Sequence, residues 1–283
     1  NCWIDFSSTA VMTNAGHGHP RIREAVADHA SGGMLAHFSF PSRQRVTLAQ
    51  RILELCPPDF DKVYFWTAGS EAIECALRLV REWGRRQNPE KDHVLTHQGD
   101  YHGWTLGATQ LSGSAGARDW LASPDERIHH VPFPGLPDHE GLEDPVAFFD
   151  RSIQQLAEQG VEPGQVAAIF IETFQGWGGL EFPLSYMCRL REWADQHDVL
   201  LVFDEIQTGF GRTGRWFGFE HYGVRPDLLC IGKGLTSSLP LAAVLGRAEV
   251  VDVLEPAEVT TTHAANPLSC AAALANLDVL ESE

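Results

Sequence analysis

The chain has 283 residues, 43% of them hydrophobic, and a formal net charge of −17. This length and composition predict a folded globular protein with a large core and exclude an intrinsically disordered one. The acidic balance, 21 basic against 38 acidic side chains, argues against nucleic acid as the main partner, because binding to phosphate backbones requires basic surfaces.

Two further features concern the compartment in which the protein works. No apolar stretch is long enough to cross a bilayer and no signal peptide opens the chain, so a membrane protein is not expected. The six cysteines form no Cys-x-x-Cys pair and most lie in apolar patterns, which indicates buried free thiols of a reducing compartment. The sequence therefore predicts a cytoplasmic protein.

The N-terminal part of the chain predicts one short strand, a turn and two helices. Residues 1–6 have a strand-like pattern, and the glycine- and histidine-rich stretch 14–20 is a turn. Its two histidines lack further partners at ligand spacing, so a hydrogen-bonded turn is favoured over a metal site. Helices are expected over 21–29, after a proline, and over 42–56, where apolar residues recur on one face.

A strand, a turn of small residues and a long helix follow over 62–86. The strand is 62–66, the turn is 67–70 and the helix begins at Ser70. Glycine and hydroxyl residues at a helix N-terminus present backbone N–H groups and the positive end of the helix dipole, which together suit a phosphate group. An ordinary serine N-cap is the simpler alternative. Neither a dinucleotide fingerprint nor a P-loop is present.

The next strand, 93–97, leads to a loop that carries Tyr101 and His102. These rings could cover the face of an aromatic ligand, or they could form a hydrophobic plug over the core. Residues 112–145 are rich in glycine and proline around a short strand, 128–131, and are expected to be a long surface excursion.

Two strands in the second half of the chain each end on an acid. A helix over 146–159 precedes the strand 166–171, which ends on Glu172. A helix over 184–196 then leads to the strand 199–203, which ends on Asp204. Because a helix connects them, we expect these strands to be parallel, with both acids at the same edge of the sheet.

The strand 228–231 is followed by Lys233, which lies between two glycines. One more strand, 241–245, a polar loop, 260–267, and a final helix from residue 268 complete the chain. About seven strands interleaved with helices predict an α/β protein, a three-layer α/β/α sandwich with a mostly parallel sheet covered on both faces.

An acid and a lysine thus lie just past the carboxyl ends of two strands, where open α/β sheets bind ligands. Considered alone, the acid is best interpreted as a turn residue, and the lysine as a residue at the tip of a solvated loop. Together with the phosphate-like turn they predict a pyridoxal phosphate site, which needs a lysine for a Schiff base, an acid at the pyridine nitrogen, a phosphate cradle and an aromatic ring face. The residues that fit these needs are Lys233, Asp204, Ala68-Gly69-Ser70 and Tyr101.

These residues also suit the chemistry of such a site. An aspartate beside the ring nitrogen keeps that nitrogen protonated, so the ring can withdraw electrons from the substrate carbon, and this fixed charge is expected to supply most of the rate enhancement. A released Lys233 is a neutral amine that can carry the proton between substrate and cofactor.

Several ordered motifs resemble those of class III pyridoxal-phosphate-dependent aminotransferases. The most specific is Phe-Asp-Glu-Ile-Gln-Thr-Gly-Phe-Gly-Arg-Thr-Gly over 203–214, followed by Gly-Lys-Gly over 232–234. Other matches are Asn14…Gly16-His17…His19-Pro20, Ala68-Gly69-Ser70-Glu71-Ala72, Tyr101-His102-Gly103, Glu172…Gln175-Gly176…Gly178-Gly179 and Thr262…Asn266-Pro267. The resemblance covers essentially the whole chain. It implies the fold-type-I large domain over 1–283 with a seven-stranded sheet, and it leaves out the smaller domain that both chain ends form in longer members.

The resemblance also implies roles for individual residues. The expected cofactor contacts are Ala68, Gly69, Ser70, Tyr101, His102, Asp204, Gln207, Lys233 and Thr262. Gly69 and Ser70 would bind phosphate, Gln207 would lie near the phenolic oxygen, and Glu172 would support Asp204 or His102. Thr262 would reach the phosphate of a neighbouring subunit, which makes a homodimer with shared sites the expected functional unit.

Two positions depart from branches of the family that act on 4-aminobutyrate and ornithine. Trp104 replaces the arginine that typically follows His-Gly there, and Trp177 replaces a glutamate. A pocket lined by these rings is expected to favour an apolar or aromatic amine over a second carboxylate, because burying an unpaired carboxylate costs free energy.

The sequence therefore predicts an aminotransferase that moves an amino group from an amine or ω-amino acid to a 2-oxo acid such as pyruvate or 2-oxoglutarate. An amino acid racemase or epimerase, or a decarboxylating aminotransferase, is the alternative with the same cofactor. A cofactor-free binding or scaffold protein that retains the fold is the alternative from another class.

Overall fold

Nine strands are present in the computed structural model, which describes residues 2–135, 144–255 and 258–282. They are β1 (Lys62–Trp66), β2 (His93–His97), β3 (Ile128–Val131), β4 (Val166–Glu172), β5 (Phe174–Gln175), β6 (Leu180–Glu181), β7 (Leu200–Asp204), β8 (Leu228–Ile231) and β9 (Ala242–Gly246). Seven of them form one sheet in the order β1-β9-β8-β7-β4-β2-β3, and β5 and β6 form a separate hairpin. In the large sheet β9 runs in the direction opposite to the other six strands. The predicted mostly parallel, seven-stranded sheet is confirmed.

The helices within the described ranges are α1 (Ser8–Val11), α2 (Pro20–Gly32), α3 (Arg43–Leu55), α4 (Gly69–Gln87), α5 (Leu106–Leu111), α6 (Pro145–Glu158), α7 (Leu184–Gln196), α8 (Ala248–Val251) and α9 (Pro267–Ser282). The helices predicted from apolar periodicity are confirmed to within a few residues at each end. None of the described helices is long and apolar enough to cross a membrane.

The strand expected over residues 1–6 is wrong for the part that the structure describes, since 2–6 lie in neither a helix nor a strand. Trp3, Ile4 and Phe6 are all more than four-fifths exposed. An apolar alternation forms a strand only against a neighbouring strand and a core, and the described chain offers this segment neither. The turn after α1 is held as predicted, because the His17 ring hydrogen-bonds with Asp5 at 2.7 Å.

The sheet is buried between two apolar layers, which explains why its central strands have unbroken apolar sequences. Alternate residues of β7 face opposite layers: Val202 packs with α4, and Phe203 packs with the side that includes α7. All five residues of β7 are buried. The predicted three-layer α/β/α sandwich is confirmed.

One glycine marks how closely α4 lies on the sheet. A Cβ added at Gly84 would be 2.0 Å from the Lys91 carbonyl oxygen and 2.9 Å from the Ala167 Cβ. Replacing a helical glycine by alanine normally stabilises a protein by about 0.5–1 kcal/mol. Here we expect Gly84→Ala to lower the free energy of unfolding by about 1–3 kcal/mol, because the helix must move away from its neighbours.

Urea unfolding of the full-length protein measures this effect. Gly164→Ala is the matched control, because its added Cβ meets no atom within 4 Å. A Gly84→Ala variant as stable as the wild-type protein would contradict the close packing of α4.

Candidate active site

The two acids predicted at strand ends are neighbours. In the parallel pairing of β4 with β7, Glu172 lies in register with Asp204. In the pairing of β7 with β8, Asp204 lies in register with Cys230, so Lys233 follows β8 at the same edge of the sheet. The carboxyl ends of three parallel strands therefore bring two carboxyl groups and an amine to one place.

A cavity of about 160 Å³ lies at this edge. Its lining comprises Gly69, Ser70, Tyr101, His102, Gly103, Glu172, Asp204, Ile206, Gln207 and Lys233. Eight of the residues predicted from the sequence are thus brought together, although they come from five separate segments of the chain.

Four predicted residues lie outside this lining. Ala68 is exposed just before α4, and Thr262 is exposed in the loop before α9. Trp104 and Trp177 are 60% and 76% exposed. Their rings stand on edge to that of Tyr101, with centroid distances of 5.9 Å and 6.1 Å. The two tryptophans therefore adjoin the cavity through Tyr101.

The N-terminus of α4 forms one end of the cavity. The Glu71 carboxylate accepts hydrogen bonds from the Thr67 and Ala68 backbone N–H groups, at 2.9 Å and 3.0 Å. Gly69 and Ser70, the next residues, line the cavity. A Cβ at Gly103, whose φ is +130°, would be 2.1 Å from the Ser70 Oγ, so the loop after β2 can approach the helix only with glycine there.

Asp204 lies beside a histidine that carries two N–H donors. The His102 Nδ1 is 2.8 Å from the Asp204 Oδ2, and its Nε2 is 3.3 Å from the Thr96 Oγ1. The Thr96 hydroxyl donates to the Leu111 carbonyl oxygen at 3.0 Å, so it accepts from His102. The Ile206 N–H donates to the other Asp204 oxygen at 3.0 Å.

This arrangement favours a charged imidazole. Burial opposes the charge, but attraction from Asp100 and Asp204 outweighs it and raises the pKa of His102 to about 10. The His102 imidazolium lies 2.8 Å from Asp204 and forms an ion pair with it. Asp204 can therefore present a negative oxygen to a cation in the cavity.

Glu172 is buried and accepts a hydrogen bond from the Tyr101 backbone N–H at 2.7 Å. Burial, together with the negative charges of Asp100 and Asp204, raises the pKa of Glu172 to about 8. The Glu172 carboxyl group thus orders the loop that carries Tyr101. It is mostly protonated at neutral pH, which limits the negative charge around Asp204.

The raised pKa of Glu172 makes stability depend on pH. An unfolded glutamate loses its proton near its ordinary pKa of 4.5, whereas the folded one keeps it to about pH 8. The folded state thus binds more protons in this window, and the Glu172 contribution to stability falls as pH rises through it. We expect Glu172→Gln to reduce the loss of stability between pH 5 and pH 8, measured as the urea midpoint of cofactor-free full-length protein. The exposed Glu126→Gln is the control, and an unchanged pH dependence in Glu172→Gln would contradict the assignment.

The turn that carries Lys233 is held from α9. Lys233 has a φ of +38°, unusual for a residue other than glycine. The buried Asn276 amide donates to the carbonyl oxygens of Gly234 and Leu235, at 2.8 Å and 3.1 Å. The Asn14 amide also packs here, since a Cβ at Gly234 would be 2.3 Å from its nitrogen. The lysine is therefore fixed in an uncommon backbone conformation by distant parts of the chain.

A second buried acid holds the glycine-rich loop after β7. Glu205 accepts hydrogen bonds from the Thr173 hydroxyl at 2.9 Å and from the Gly218 and Phe219 N–H groups at 2.8 Å each. Burial nevertheless raises its pKa to about 7. Sequence reasoning missed both Glu205 and Asn276. The available signal for Asn276 was a polar residue inside an otherwise apolar helix, because such residues are nearly always hydrogen-bonded when buried. No such signal marks Glu205, which lies between Asp204 and Ile206-Gln207-Thr208.

Two other sequence predictions concern cysteines and metals. All six cysteines are free; Cys75, Cys230 and Cys270 are buried, whereas Cys2 and Cys188 are exposed. Within the described ranges no group of three His, Cys, Asp or Glu side chains could hold a metal ion.

Comparisons with known proteins identify the family to which the chain is similar. The family model for class III aminotransferases matches residues 1–283. The 5-aminovalerate aminotransferase DavT of Pseudomonas putida is 36% identical over 99% of this chain and 65% of its own length. The leucine/methionine racemase of Thermococcus litoralis is 32% identical over 99% of this chain and 63% of its own length.

A solved structure is also similar. An amine transaminase from an uncultivated Pseudomonas species, in its pyridoxal-phosphate-bound form, has a TM-score of 0.89 and 30% identity over 99% of this chain and 66% of that chain. The chain spans slightly less than two thirds of the length of the two curated relatives named above, 65% and 63%. The match over residues 1–283, in agreement with the motifs and the sheet order, shows that the chain belongs to the class III aminotransferases.

Proposed function

We propose that the full-length protein is a pyridoxal-phosphate-dependent aminotransferase that moves an amino group from an amine or ω-amino acid to a 2-oxo acid. The observation that carries this proposal is the single cavity that collects Asp204, Lys233 and the N-terminus of α4. These groups come from distant segments, and each matches a different part of the cofactor.

The chemistry of this donor set fits pyridoxal phosphate. The α4 N-terminus, with Gly69 and Ser70, suits a phosphate. Asp204, which is paired with His102, suits a protonated ring nitrogen. When bound, the cofactor supplies an aldehyde that an amine can attack and a ring that withdraws electrons from the substrate carbon.

The protein side chains have distinct tasks in this proposal. Gly69 and Ser70 would hold the phosphate, and Tyr101 would lie against a face of the ring. Gln207 would lie near the phenolic oxygen, and Asp204 would accept a hydrogen bond from the protonated ring nitrogen. Lys233 would supply the amine that reacts with the cofactor aldehyde and, when free, the base that moves the proton at the substrate carbon.

The substrate class is proposed from the rings around Tyr101. Trp104 and Trp177 pack on edge against Tyr101 and carry no charge. A second substrate carboxylate placed beside them would lose its hydration without gaining a cationic partner. We therefore expect an apolar or aromatic amine as the donor, with pyruvate or 2-oxoglutarate as the acceptor.

The proposed functional unit is a homodimer. Arg45 donates to the carbonyl oxygens of His37 and Ala264, both at 3.1 Å, and so ties the loop before α3 to the loop that carries Thr262. The first loop exposes Met34, Leu35, Phe38 and Phe40. An apolar surface next to the exposed Thr262 supports contact with a second copy, in which Thr262 would reach the other cofactor phosphate.

A cytoplasmic location, supported by the free cysteines, completes the proposal.

A screen of amine donors with the full-length protein tests this function, with pyruvate and 2-oxoglutarate compared as acceptors. We expect kcat/KM for an aromatic amine to exceed that for 4-aminobutyrate by about 10-fold or more. A preference for 4-aminobutyrate would contradict the substrate class, and no transfer from any amine would contradict the function.

A racemase is the second candidate, because racemases occur among the relatives at 32% identity. Incubation of the loaded protein with one enantiomer of an amino acid and no 2-oxo acid separates the two. Repeated turnover to the other enantiomer indicates a racemase, whereas a single transfer per site indicates an aminotransferase.

A further inference from the structure

We propose that Asp100 is a positioning residue that acts through His102, and that its carboxylate keeps the His102 ring doubly protonated next to Asp204. This inference rests on the proposed function, in which Asp204 pairs with the nitrogen of the cofactor ring. Asp100 itself does not line the cavity. It lies on the far side of His102 from Asp204.

Asp100 is buried and held by one hydrogen bond to a side chain. Its Oδ1 accepts from the Gln175 Nε2 at 2.8 Å, and the same amide donates to the Gln98 carbonyl oxygen at 2.7 Å. Its Oδ2 has no hydrogen-bond partner in the described part of the chain. That oxygen lies 3.7 Å from the His102 Nε2 and 3.9 Å from the His97 Nδ1.

Both histidine nitrogens lie within 4 Å of this oxygen, and the His102 nitrogen carries a hydrogen. The Tyr186 hydroxyl lies 2.8 Å from the His97 Nε2. Either group can donate the hydrogen in that contact. The His102 Nε2–H is fixed by its contact with the Thr96 oxygen. At 3.7 Å it is also close enough to interact electrostatically with the buried Asp100 carboxyl group.

The buried charges then form a simple balance. In this proposal two carboxylates, Asp100 and Asp204, flank one imidazolium, which leaves one excess negative charge when the cavity holds no cation. A protonated ring nitrogen beside Asp204 would neutralise it. Without the charge of Asp100, one of the two cations would lose its partner, and His102 is the nearer at 3.7 Å. Asp100 therefore sets the number of protons that the buried cluster can hold.

Other titratable groups also lie near His102. They are Asp204 on β7, Glu172 on β4, His97 on β2, His130 on β3 and Lys233 after β8. Burial lowers the pKa values of His97 and His130 to about 4, and burial with the neighbouring carboxylates raises that of Glu172 to about 8. These three groups are therefore mainly neutral at pH 7, and the charge on His102 depends on the two aspartates.

Nitrogen-15 NMR of the cofactor-free full-length protein, labelled at histidine, tests the proposal without any activity measurement. His102→Gln assigns the signals by their loss. We expect both His102 nitrogens to be protonated at pH 8 in the wild-type protein. In Asp100→Asn, which keeps the shape and the contact with Gln175, the His102 titration midpoint should fall by about one to three pH units.

Thr96→Val is the matched variant, because it removes the uncharged partner of the same His102 nitrogen. We expect it to leave His102 doubly protonated at pH 8. An equal fall in both variants, or no fall in Asp100→Asn, would overturn the role of the Asp100 charge.

The test stays decisive if Asp100→Asn does not fold. A neutral His102 at pH 8 in the wild-type protein overturns the proposal on its own, whereas double protonation in both the wild type and Thr96→Val supports it. Uptake of pyridoxal phosphate by the wild-type protein is followed separately by absorbance. Failure of the proposed function is thus distinguished from failure of this inference.

Discussion

Lys233→Ala is expected to lower the rate of amino transfer by at least about 10⁴-fold in the full-length protein. The variant loses both the amine that binds the cofactor covalently and the base that moves the proton at the substrate carbon, and a positioned base alone contributes about 10²–10⁴-fold. The backbone change is small, because Asn276 holds the turn through carbonyl oxygens rather than through the lysine side chain. Single-turnover kinetics with saturating pyridoxal phosphate measure the effect.

The chain offers two matched controls for this variant, since its only other lysines are Lys62 and Lys91. Lys62 pairs with Asp252 at the surface, and Lys91 is bound to Gln87 and the His197 carbonyl oxygen. Neither lines the cavity. Lys62→Ala should transfer amino groups at the wild-type rate. A Lys233→Ala variant within about 10-fold of the wild type would contradict the assignment, given the contribution expected of a positioned base.

Asp204→Asn is expected to have the second largest effect, a fall of about 10³-fold in the rate of the first half-reaction. An amide of the same shape cannot balance a protonated ring nitrogen, so the ring withdraws electrons less strongly when the substrate loses its proton. His102 would also lose its ion-pair partner at 2.8 Å. The expected signature is a lower single-turnover rate at saturating substrate, together with a lower pKa of the bound cofactor followed by absorbance.

The exposed Asp252→Asn is the control for Asp204→Asn, because it changes an aspartate that pairs with Lys62 at the surface. It should leave both the rate and the absorbance unchanged. If Asp204→Asn altered only substrate KM, Asp204 would be a substrate-binding residue rather than the partner of the ring nitrogen.

The elements that position the site could be predicted from the sequence because they follow local rules. The strands β4, β7 and β8 are unbroken apolar runs, and in a covered parallel sheet such runs end at a common edge. Glu172, Asp204 and Lys233 follow those runs, so their proximity was predictable. The ordered motifs supported the family resemblance, which the match over residues 1–283 confirms.

The parts that could not be predicted depend on contacts between distant residues. Asn276 reaches the Lys233 turn from the last helix, and Thr96 is buried in the middle of a strand. The rings of Trp104 and Trp177 adjoin Tyr101 from separate loops. No spacing rule connects such pairs, because their geometry is set by how the loops pack after the sheet has formed. The apolar alternation of 2–6 was misleading for the same reason, since no strand of the described residues lies beside it.

Borohydride reduction of the full-length protein loaded with pyridoxal phosphate, followed by peptide mapping, tests most directly the claim that Lys233 and Asp204 hold one cofactor ring between them. We expect the reduced cofactor on the peptide that contains Lys233, and its absorbance before reduction to show a protonated ring nitrogen that is lost in Asp204→Asn. A label on another lysine, or a protonated ring that persists in Asp204→Asn, would contradict the account.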